Sequence, residues 1–235
     1  MKTVAILLAA GSGKRMQSEV SKQYILLEGK PLLFYSLRVL EDSFIDEIVL
    51  VVGKDEKEYC RKEIIDRYGF QKVSHIVEGG KERYHSVYHG LQAIQDADYY
   101  FIHDSARPML TADILQRGLA CVQQHKACVI GMPVKDTIKI ADQQGFIEYT
   151  PNRSQVWAIQ TPQIFEGKLI RDAYSQLIKE EADMLQRGIQ ITDDAMVVET
   201  LTGKKVRLVE GSYENVKVTT PEDIGIIESF LQKKL

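Results

Sequence analysis

The sequence predicts a doubly wound α/β fold, in which helices cover both faces of a mostly parallel β-sheet. Short apolar runs alternate with longer amphipathic stretches, an order that is typical of successive β-α-β units. The apolar runs are nearly continuous, as expected for parallel strands that are covered on both sides. The predicted strands are Thr3–Ala9, Glu47–Val52, Val73–Val77, Tyr99–His103 and Cys128–Met132.

Helices are predicted in the stretches around these strands. The first, Leu32–Leu40, starts after Pro31, a residue that suits the first turn of a helix. Glu56–Tyr68 is amphipathic, and Tyr84–Ile94 and Asp113–His125 follow the third and fourth predicted strands. Because doubly wound sheets bind ligands at the carboxyl ends of their strands, we expect the functional site at that edge.

The regular alternation ends after Pro133. Residues Lys135–Tyr149 contain alternating side chains and then the turn sequence Asp142-Gln143-Gln144-Gly145, which together predict a polar β-hairpin. Because a hairpin alone is only marginally stable, we expect this one to pack on another surface, for instance that of a second subunit.

The C-terminal part of the chain is predicted to be helical. One helix is expected at about Gly167–Glu181 and another from Asp193, and Thr220-Pro221-Glu222-Asp223 is typical of a helix start with Thr as the N-cap. The sequence contains no linker, low-complexity segment or internal repeat. We therefore expect a single domain over residues 1–235, with a protruding β-arm at about residues 135–153.

Composition excludes several classes of protein. The 235 residues include 30 Lys and Arg against 33 Asp and Glu, a net charge of -3, so we expect no nucleic-acid partner. Cys60, Cys121 and Cys128 have no Cys-x-x-Cys spacing, which argues against a disulfide framework and favours reduced thiols in the cytoplasm. The longest apolar run, Val4–Ala10, is far shorter than the about 20 residues of a membrane span, so no membrane partner is expected.

A glycine-containing segment, Leu8-Ala9-Ala10-Gly11-Ser12-Gly13-Lys14-Arg15-Met16, follows the first predicted strand. Its small residues allow backbone amides to approach an anion closely, and its basic residues favour a polyphosphate. It is not a Walker A loop, because Arg15 follows Lys14 and Leu8 replaces the first glycine. It also lacks the dinucleotide-binding fingerprint, because Met16 stands where the third glycine is needed. A solvated turn with incidental charges is the alternative.

Six further motifs follow this loop in order. They are Gly79-Gly80-Lys81-Glu82-Arg83 with Ser86, His103-Asp104-Ser105-Ala106-Arg107-Pro108, Val134-Lys135-Asp136-Thr137-Ile138-Lys139, Gln160-Thr161-Pro162-Gln163, Thr192-Asp193-Asp194-Ala195, and Asn215-Val216-Lys217-Val218-Thr219-Thr220-Pro221-Glu222-Asp223. Together with the loop and Lys22-Gln23-Tyr24, these motifs are distributed over nearly the whole length of the chain. Together they resemble the 2-C-methyl-D-erythritol 4-phosphate cytidylyltransferase family of sugar-phosphate nucleotidyltransferases.

This resemblance implies a Rossmann-like fold of the nucleotide-diphospho-sugar transferase kind. It also implies an enzyme that transfers a cytidylyl group from CTP to 2-C-methyl-D-erythritol 4-phosphate and releases pyrophosphate, in non-mevalonate isoprenoid precursor synthesis. The nearest alternative is a ribitol-5-phosphate cytidylyltransferase, which the third and sixth of these further motifs disfavour. A non-catalytic nucleotide sensor and a dinucleotide-dependent oxidoreductase are the alternatives from other classes.

The implied reaction needs positive charge more than a general base. The attacking phosphate monoester has a second pKa of about 6, so it is already mostly dianionic at neutral pH. By resemblance, Arg15 and Lys22 are the catalytic pair that neutralises the CTP phosphates. The family commonly has proline before this lysine; here the residue is Ser21, which predicts a less stiff loop.

The resemblance also assigns the residues that bind the two substrates. The nucleotide-binding residues are Ala9, Ala10, Gly11, Gly13, Gly80, Lys81, Ser86 and Ser105. The residues implied for the sugar phosphate are Asp104, Arg107, Thr137, Arg153, Thr161 and Lys217. The alternative for Asp104 and Arg107 is a structural ion pair that braces the loop before Pro108.

Arg153 resembles an arginine that reaches into the partner's site, which implies a homodimer formed through the β-arm. Mg²⁺ is expected as a bridge between CTP oxygens, without a firm protein ligand. The pair Asp193 and Asp194 is interpreted as helix capping rather than as a metal site. Trp157 is expected in the core.

Overall fold

The computed structural model describes residues 1–11 and 21–233. Its strands are β1 (Thr3–Ala9), β2 (Leu26–Leu27), β3 (Lys30–Pro31), β4 (Glu47–Val52), β5 (Val73–Glu78), β6 (Tyr99–Asp104), β7 (Ala127–Pro133), β8 (Ile140–Ala141), β9 (Ile147–Tyr149), β10 (Trp157–Glu166) and β11 (Arg207–Glu210). Its helices are α1 (Leu32–Glu41), α2 (Lys57–Tyr59, continued by a π-helical segment at Cys60–Asp66), α3 (Arg83–Ala93), α4 (Ala112–His125), α5 (Gly167–Gln186), α6 (Asp194–Thr202) and α7 (Glu222–Gln232). Short 3-10 turns lie at Lys22–Tyr24 and Arg153–Gln155.

Seven of the strands form one sheet in the order β11-β7-β10-β6-β1-β4-β5. The pairs β1–β4, β1–β6, β4–β5 and β7–β11 are parallel. Strand β10 runs antiparallel to both of its neighbours, β6 and β7. The predicted mostly parallel, doubly wound sheet is therefore confirmed.

Helices cover both faces of this sheet, which explains why its central strands are almost wholly apolar. On one face, Leu37 of α1 and Leu115 of α4 join a buried cluster with strand residues. On the other face, Leu91 of α3 and Tyr174 of α5 join a second cluster. Of the helices in the described part of the chain, none has the length and apolar character needed to cross a membrane.

Two strands of the sheet, β10 and β11, were not predicted. The middle of β10 is Gln160-Thr161-Pro162-Gln163, a polar stretch with proline in which the pairing with β7 shifts its register. Gln160, Thr161 and Gln163 are nevertheless buried, because side chains from other elements satisfy them. Trp157, expected in the core, is only half-buried at the start of β10.

The predicted β-hairpin is confirmed as β8 and β9, which pair antiparallel around the expected turn. The start of the last helix differs from the prediction in one respect. Thr220 does not cap it with its side chain; instead the Asp223 carboxylate accepts the backbone N–H groups of Thr219 (2.7 Å) and Thr220 (2.9 Å).

Candidate active site

The main cleft of the described chain has a volume of about 700 Å³ and lies at the carboxyl ends of β1 and β6. This is the edge at which a doubly wound sheet is expected to bind its ligand. The cleft brings together ten of the predicted site residues: Ala9, Ala10, Gly11, Lys22, Gly80, Lys81, Ser86, Asp104, Ser105 and Lys217. Gly13 and Arg15 lie outside the described residues.

A smaller cleft of about 320 Å³ adjoins the first and is lined by Arg107 and Thr161. Three charged residues, Arg83, Asp104 and Lys217, line both clefts. We call these three residues the charged junction. Two ligands that met here would share one set of charged side chains.

The Asp104 carboxylate is the centre of the charged junction. Its Oδ1 accepts from Nε of Arg83 at 3.2 Å, and its Oδ2 accepts from Nζ of Lys217 at 2.6 Å. Burial alone would raise the pKa of this carboxyl, but the adjacent Arg83 and Lys217 outweigh burial and hold the pKa well below its usual range. Asp104 is therefore ionised at neutral pH and fixes the position of the Lys217 ammonium group.

Arg83 is held in turn by Asp194, which is wholly buried. Two parallel bonds join the guanidinium to this carboxylate, at 2.8 and 2.9 Å, and the Tyr174 hydroxyl donates to the same carboxylate. Burial disfavours the charge on Arg83, but Asp194 and Asp104 together raise its pKa well above the ordinary value. Arg83 is thus a fixed cation between two carboxylates.

The interpretation of Asp193 and Asp194 as a capping pair is right for one residue only. Asp193 is the N-cap of α6 and accepts the Met196 N–H at 2.9 Å. Asp194 instead forms the buried pair with Arg83, 111 residues away in the chain. No local spacing signals such a pair, so sequence reasoning missed Arg83 as a site residue.

Arg107 does not form the ion pair with Asp104 that the structural alternative predicted. Its two terminal nitrogens donate to the backbone carbonyls of Asn215 (2.7 Å) and Ile159 (3.3 Å) rather than to Asp104. Its Nε is buried and has no hydrogen-bond partner among residues 1–11 and 21–233. Burial lowers the pKa of this guanidinium. Arg107 thus ties β10 to the segment that carries Lys217 while lining the smaller cleft.

Thr161 supports the backbone of Asp104. Its hydroxyl accepts the Asp104 N–H at 3.0 Å and lies 3.0 Å from Nδ1 of His103. The other ring nitrogen of His103 lies 3.2 Å from the Arg107 carbonyl, which can only accept. His103 therefore donates through Nε2 and accepts at Nδ1 from Thr161. Burial lowers the pKa of His103 to about 4, so the ring is neutral.

One wall of the main cleft is formed by a tight glycine turn. The Ser86 hydroxyl accepts the Gly80 N–H at 3.1 Å. A Cβ atom at Gly79 would lie 2.4 Å from Cβ of Ala10, so only glycine lets this turn pack against the end of β1. Ser86 thus shapes the wall, and Lys81 stands exposed at its rim.

Lys22 enters the main cleft from a short turn. Its Nζ donates to the Val218 carbonyl at 2.8 Å, next to Lys217 in the chain. The preceding Ser21 hydroxyl donates to Oε1 of Glu56 at 3.1 Å. The sequence predicted a less stiff loop at Ser21, and this hydrogen bond is a restraint that the sequence pattern did not reveal.

The two remaining predicted residues, Thr137 and Arg153, lie on the exposed β-arm. Neither is among the described residues that line the two clefts. The Arg153 guanidinium donates to the Lys135 carbonyl at 3.1 Å, within the arm itself. One subunit therefore does not bring these two residues to the charged junction.

Comparisons with known proteins show what the whole chain is similar to. A profile of the IspD family, 2-C-methyl-D-erythritol 4-phosphate cytidylyltransferase, matches residues 3–233. The enzyme of that name from Lachnoclostridium phytofermentans is 49% identical over 232 residues, covering 99% of this chain and 97% of its own. The crystal structure of 4-diphosphocytidyl-2C-methyl-D-erythritol synthase from Anaerococcus prevotii is 34% identical, with a TM-score of 0.85 over 98% of this chain and 96% of its own.

The cytidylyltransferase structure from Thermus thermophilus is 26% identical, with a TM-score of 0.75 over 97% of this chain and 98% of its own. Similarity of sequence and of fold thus extends from end to end. The chain belongs to the 2-C-methyl-D-erythritol 4-phosphate cytidylyltransferase family.

Proposed function

We propose that this chain transfers the cytidylyl group of CTP to 2-C-methyl-D-erythritol 4-phosphate and releases pyrophosphate. The observation that carries the proposal is the convergence of four basic side chains on one cleft at the carboxyl edge of the sheet: Lys22, Lys81, Arg83 and Lys217. The relative from Lachnoclostridium phytofermentans carries the same activity in its name.

The reaction requires one anion to attack another. An oxygen of the sugar phosphate forms a bond to the α-phosphorus of CTP, and the bond from that phosphorus to the bridging oxygen breaks, leaving pyrophosphate with the electron pair. Two unit charges about 4 Å apart repel by about 4 kcal/mol at an effective dielectric constant of 20. Fixed cations offset this repulsion and stabilise the charge that develops in the transition state.

We assign the main cleft to CTP. The end of β1, Ala9–Gly11, offers small residues to the triphosphate, and Lys22 offers an ammonium group. We expect Arg15, outside the described residues, to contribute a second cation. The turn at Gly80 and Ser86, with Lys81 at its rim, is placed to meet the cytidine. Ser105 closes the floor of this cleft through a bond from its N–H to the Leu8 carbonyl at 3.0 Å.

We assign the smaller cleft to the sugar phosphate. Arg107 and Thr161 line it, and the charged junction connects it to the main cleft. Lys217 would then face the phosphates of both substrates at the point of transfer. Asp104 keeps that ammonium in place and offers its remaining lone pairs to a substrate hydroxyl.

We propose that Mg²⁺ arrives with the nucleotide, coordinated mainly by CTP phosphate oxygens. Mg²⁺ usually keeps several waters and takes few protein ligands. In the described part of the chain, no group of three or more His, Cys, Asp or Glu side chains is arranged to hold a metal. Asp104 lines both clefts between two cations, and it would serve at most as a single additional ligand.

We further propose that the chain acts as a homodimer, with the β-arm reaching the partner's smaller cleft. Phe146, Ile147 and Tyr149 of the arm are 69%, 64% and 55% exposed, an apolar surface that a second copy would cover. Thr137 and Arg153 would then complete the partner's sugar-phosphate pocket. Deleting residues 136–148 should give inactive monomers in analytical ultracentrifugation. An active monomer would contradict this arrangement.

The chain is proposed to work as a single nucleotidyltransferase domain, since one sheet extends from β1 to β11. We also propose a cytoplasmic location, because Cys60, Cys121 and Cys128 are all free thiols.

The test of the proposed function is the release of pyrophosphate from CTP with each of two acceptors. We expect turnover with 2-C-methyl-D-erythritol 4-phosphate and little with ribitol 5-phosphate. Turnover with ribitol 5-phosphate alone would replace the proposal by the pentitol enzyme. CTP binding without turnover on either acceptor would indicate a nucleotide sensor.

A further inference from the structure

One carboxylate, that of Glu56, binds three side chains of the turn that carries Lys22. Oε2 of Glu56 accepts from the Tyr24 hydroxyl at 2.8 Å and from Nε2 of Gln23 at 3.2 Å. Oε1 of the same carboxylate accepts from the Ser21 hydroxyl at 3.1 Å. Glu56 thus binds the side chains of the three residues that flank Lys22.

Glu56 is itself well placed to act as an anchor. It lies at the start of α2, and its Oε2 also accepts the Gly53 N–H at 3.0 Å, which ties the carboxylate to the end of β4. A Cβ atom at Gly53 would lie 2.8 Å from the carboxylate carbon, so glycine is needed there for this close approach. The anchor is therefore built on the buried central sheet.

Two backbone hydrogen bonds within the turn also hold its conformation. The Tyr24 N–H donates to the Ser21 carbonyl at 2.9 Å, and the Ile25 N–H donates to the Lys22 carbonyl at 3.2 Å. The Lys22 side chain leaves the turn on the cleft side, whereas Glu56 does not line the cleft. Glu56 therefore reaches the chemistry only through the residues that it holds.

We propose that Glu56 is a positioning residue for Lys22: by holding Ser21, Gln23 and Tyr24, it fixes the ammonium group that faces the triphosphate. This inference rests on the proposed function, because it deepens the role of Lys22 there. A misplacement of about 1 Å in a catalytic group costs up to roughly a hundredfold in rate. We expect loss of the anchor to reduce kcat by about tenfold, with a smaller effect on KM for the sugar phosphate.

The test uses Glu56→Gln, which keeps the side-chain shape but removes the negative charge and leaves one oxygen to accept from the four donors that the carboxylate binds. Two readouts are needed: kcat and KM from pyrophosphate release, and hydrogen exchange of the peptide that spans Ser21–Leu27 by mass spectrometry. We expect kcat to fall about tenfold and the Tyr24 and Ile25 amides to exchange faster. Glu58→Gln, an exposed position on the same helix, is the matched control and should change neither readout.

A proline at position 21 should restore activity if Glu56→Gln only disorders the turn, and it should not restore activity if the whole protein is unfolded. Ser21 has a φ of -54°, within the range that proline imposes. Ser21→Pro in the Glu56→Gln background should restore most of the lost kcat by ordering the turn without the carboxylate. Ser21→Ala in that background should add no further loss, because its hydrogen-bond acceptor is already disrupted.

Two outcomes would overturn the inference. The first is unchanged hydrogen exchange of the Lys22 turn in Glu56→Gln, whatever the activity. The second is a loss of kcat that proline at position 21 does not restore. If the unmodified enzyme releases no pyrophosphate from CTP, the proposed function fails, and the exchange measurement still decides whether Glu56 orders the turn.

Discussion

The charged junction and the β-arm both carry residues that we assign to the sugar phosphate, yet the subunit supports them in opposite ways. At the junction, each charge is held by a partner: Lys217 by Asp104, Asp104 by Arg83, and Arg83 by buried Asp194. On the arm, Arg153 bonds only to a nearby carbonyl among the contacts described, and its neighbours are exposed. One region is ordered by the subunit that contains it; the other depends on whatever covers it.

Because of this difference, substitutions in the two regions should affect folding stability and catalytic activity differently. Charges within the junction are partly buried and paired with one another, so losing one leaves another partly desolvated without its partner. Charges on the arm are solvated in the single subunit, so losing one costs little in folding. We therefore expect substitutions in the junction to reduce both folding stability and turnover, and substitutions in the arm to reduce turnover alone.

The largest expected effect is that of Asp194→Asn on stability. Asp194 is wholly buried and the Arg83 side chain is 29% exposed, so removing this carboxylate charge leaves a partly desolvated guanidinium with Asp104 as its remaining carboxylate partner. Breaking a fully buried pair typically costs about 3–5 kcal/mol, and we expect a loss of about 3 kcal/mol here. Urea unfolding followed by circular dichroism measures the loss. Arg153→Ala is the matched change on the arm and should stay within about 0.5 kcal/mol of the parent. Equal losses in the two variants would remove the distinction between the regions.

The next largest effect is a loss of folding stability in acid, which arises first from His103 beside the charged junction. The pKa of His103 is depressed by burial from 6.5 to about 4, so between these pH values the unfolded chain binds a proton that the folded protein does not. The free energy of unfolding should therefore fall by roughly 3 kcal/mol as the pH drops from 6.5 to 4. Further acidification adds a loss from Asp104, whose pKa is also depressed.

The pH dependence can be assigned by substitution. His103→Gln should be less stable at neutral pH but should show a flatter fall between pH 6.5 and 4, measured by urea unfolding across that window. Replacing exposed His125 by Gln should leave the fall in place. An unchanged slope in His103→Gln would assign the acid sensitivity to another group.

Loss of a basic group that faces the phosphates should reduce turnover with little change in folding. Lys22→Ala removes one fixed positive donor, and such losses typically cost about a hundredfold or more in kcat. Arg15→Ala should behave in the same way. The control is Lys54→Ala, an exposed lysine outside both clefts. Turnover near that of the parent in a folded Lys22→Ala protein would refute the assignment.

The sequence predicts the fold better than it predicts the site's internal contacts. Strands β1, β4 and β6 are apolar runs, and their burial follows directly from composition. Strand β10 was not predicted because its buried polar residues form hydrogen bonds with residues that are distant in the sequence. The Asn215 side chain donates to the Gln160 side chain (3.2 Å) and to the Thr161 carbonyl (3.0 Å). Hydrogen bonds of this kind join residues far apart in the chain and leave no periodic pattern.

The same limit applies within the site. The lysines and the glycine turn were predicted by resemblance, and the structure places those that it describes around one cleft. The partners that fix them, Arg83 with Asp194 and Ser21 with Glu56, depend on tertiary placement. Charged residues are usually exposed, so a residue type alone does not identify a buried pair.

The comparison becomes sharpest when two inactive proteins are mixed. If Arg153 serves the partner's site, a dimer of one Arg153→Ala subunit and one Lys22→Ala subunit contains one intact site, because the second subunit supplies Arg153 to the first. Random exchange of subunits makes about half of the dimers mixed, so the mixture should recover about a quarter of the parent activity. Pyrophosphate release after co-refolding measures this recovery, with each variant refolded alone as the control. A mixture no more active than its components would show that Arg153 acts in the site of its own subunit. The arm would then support the charged junction of the subunit that carries it rather than that of the partner.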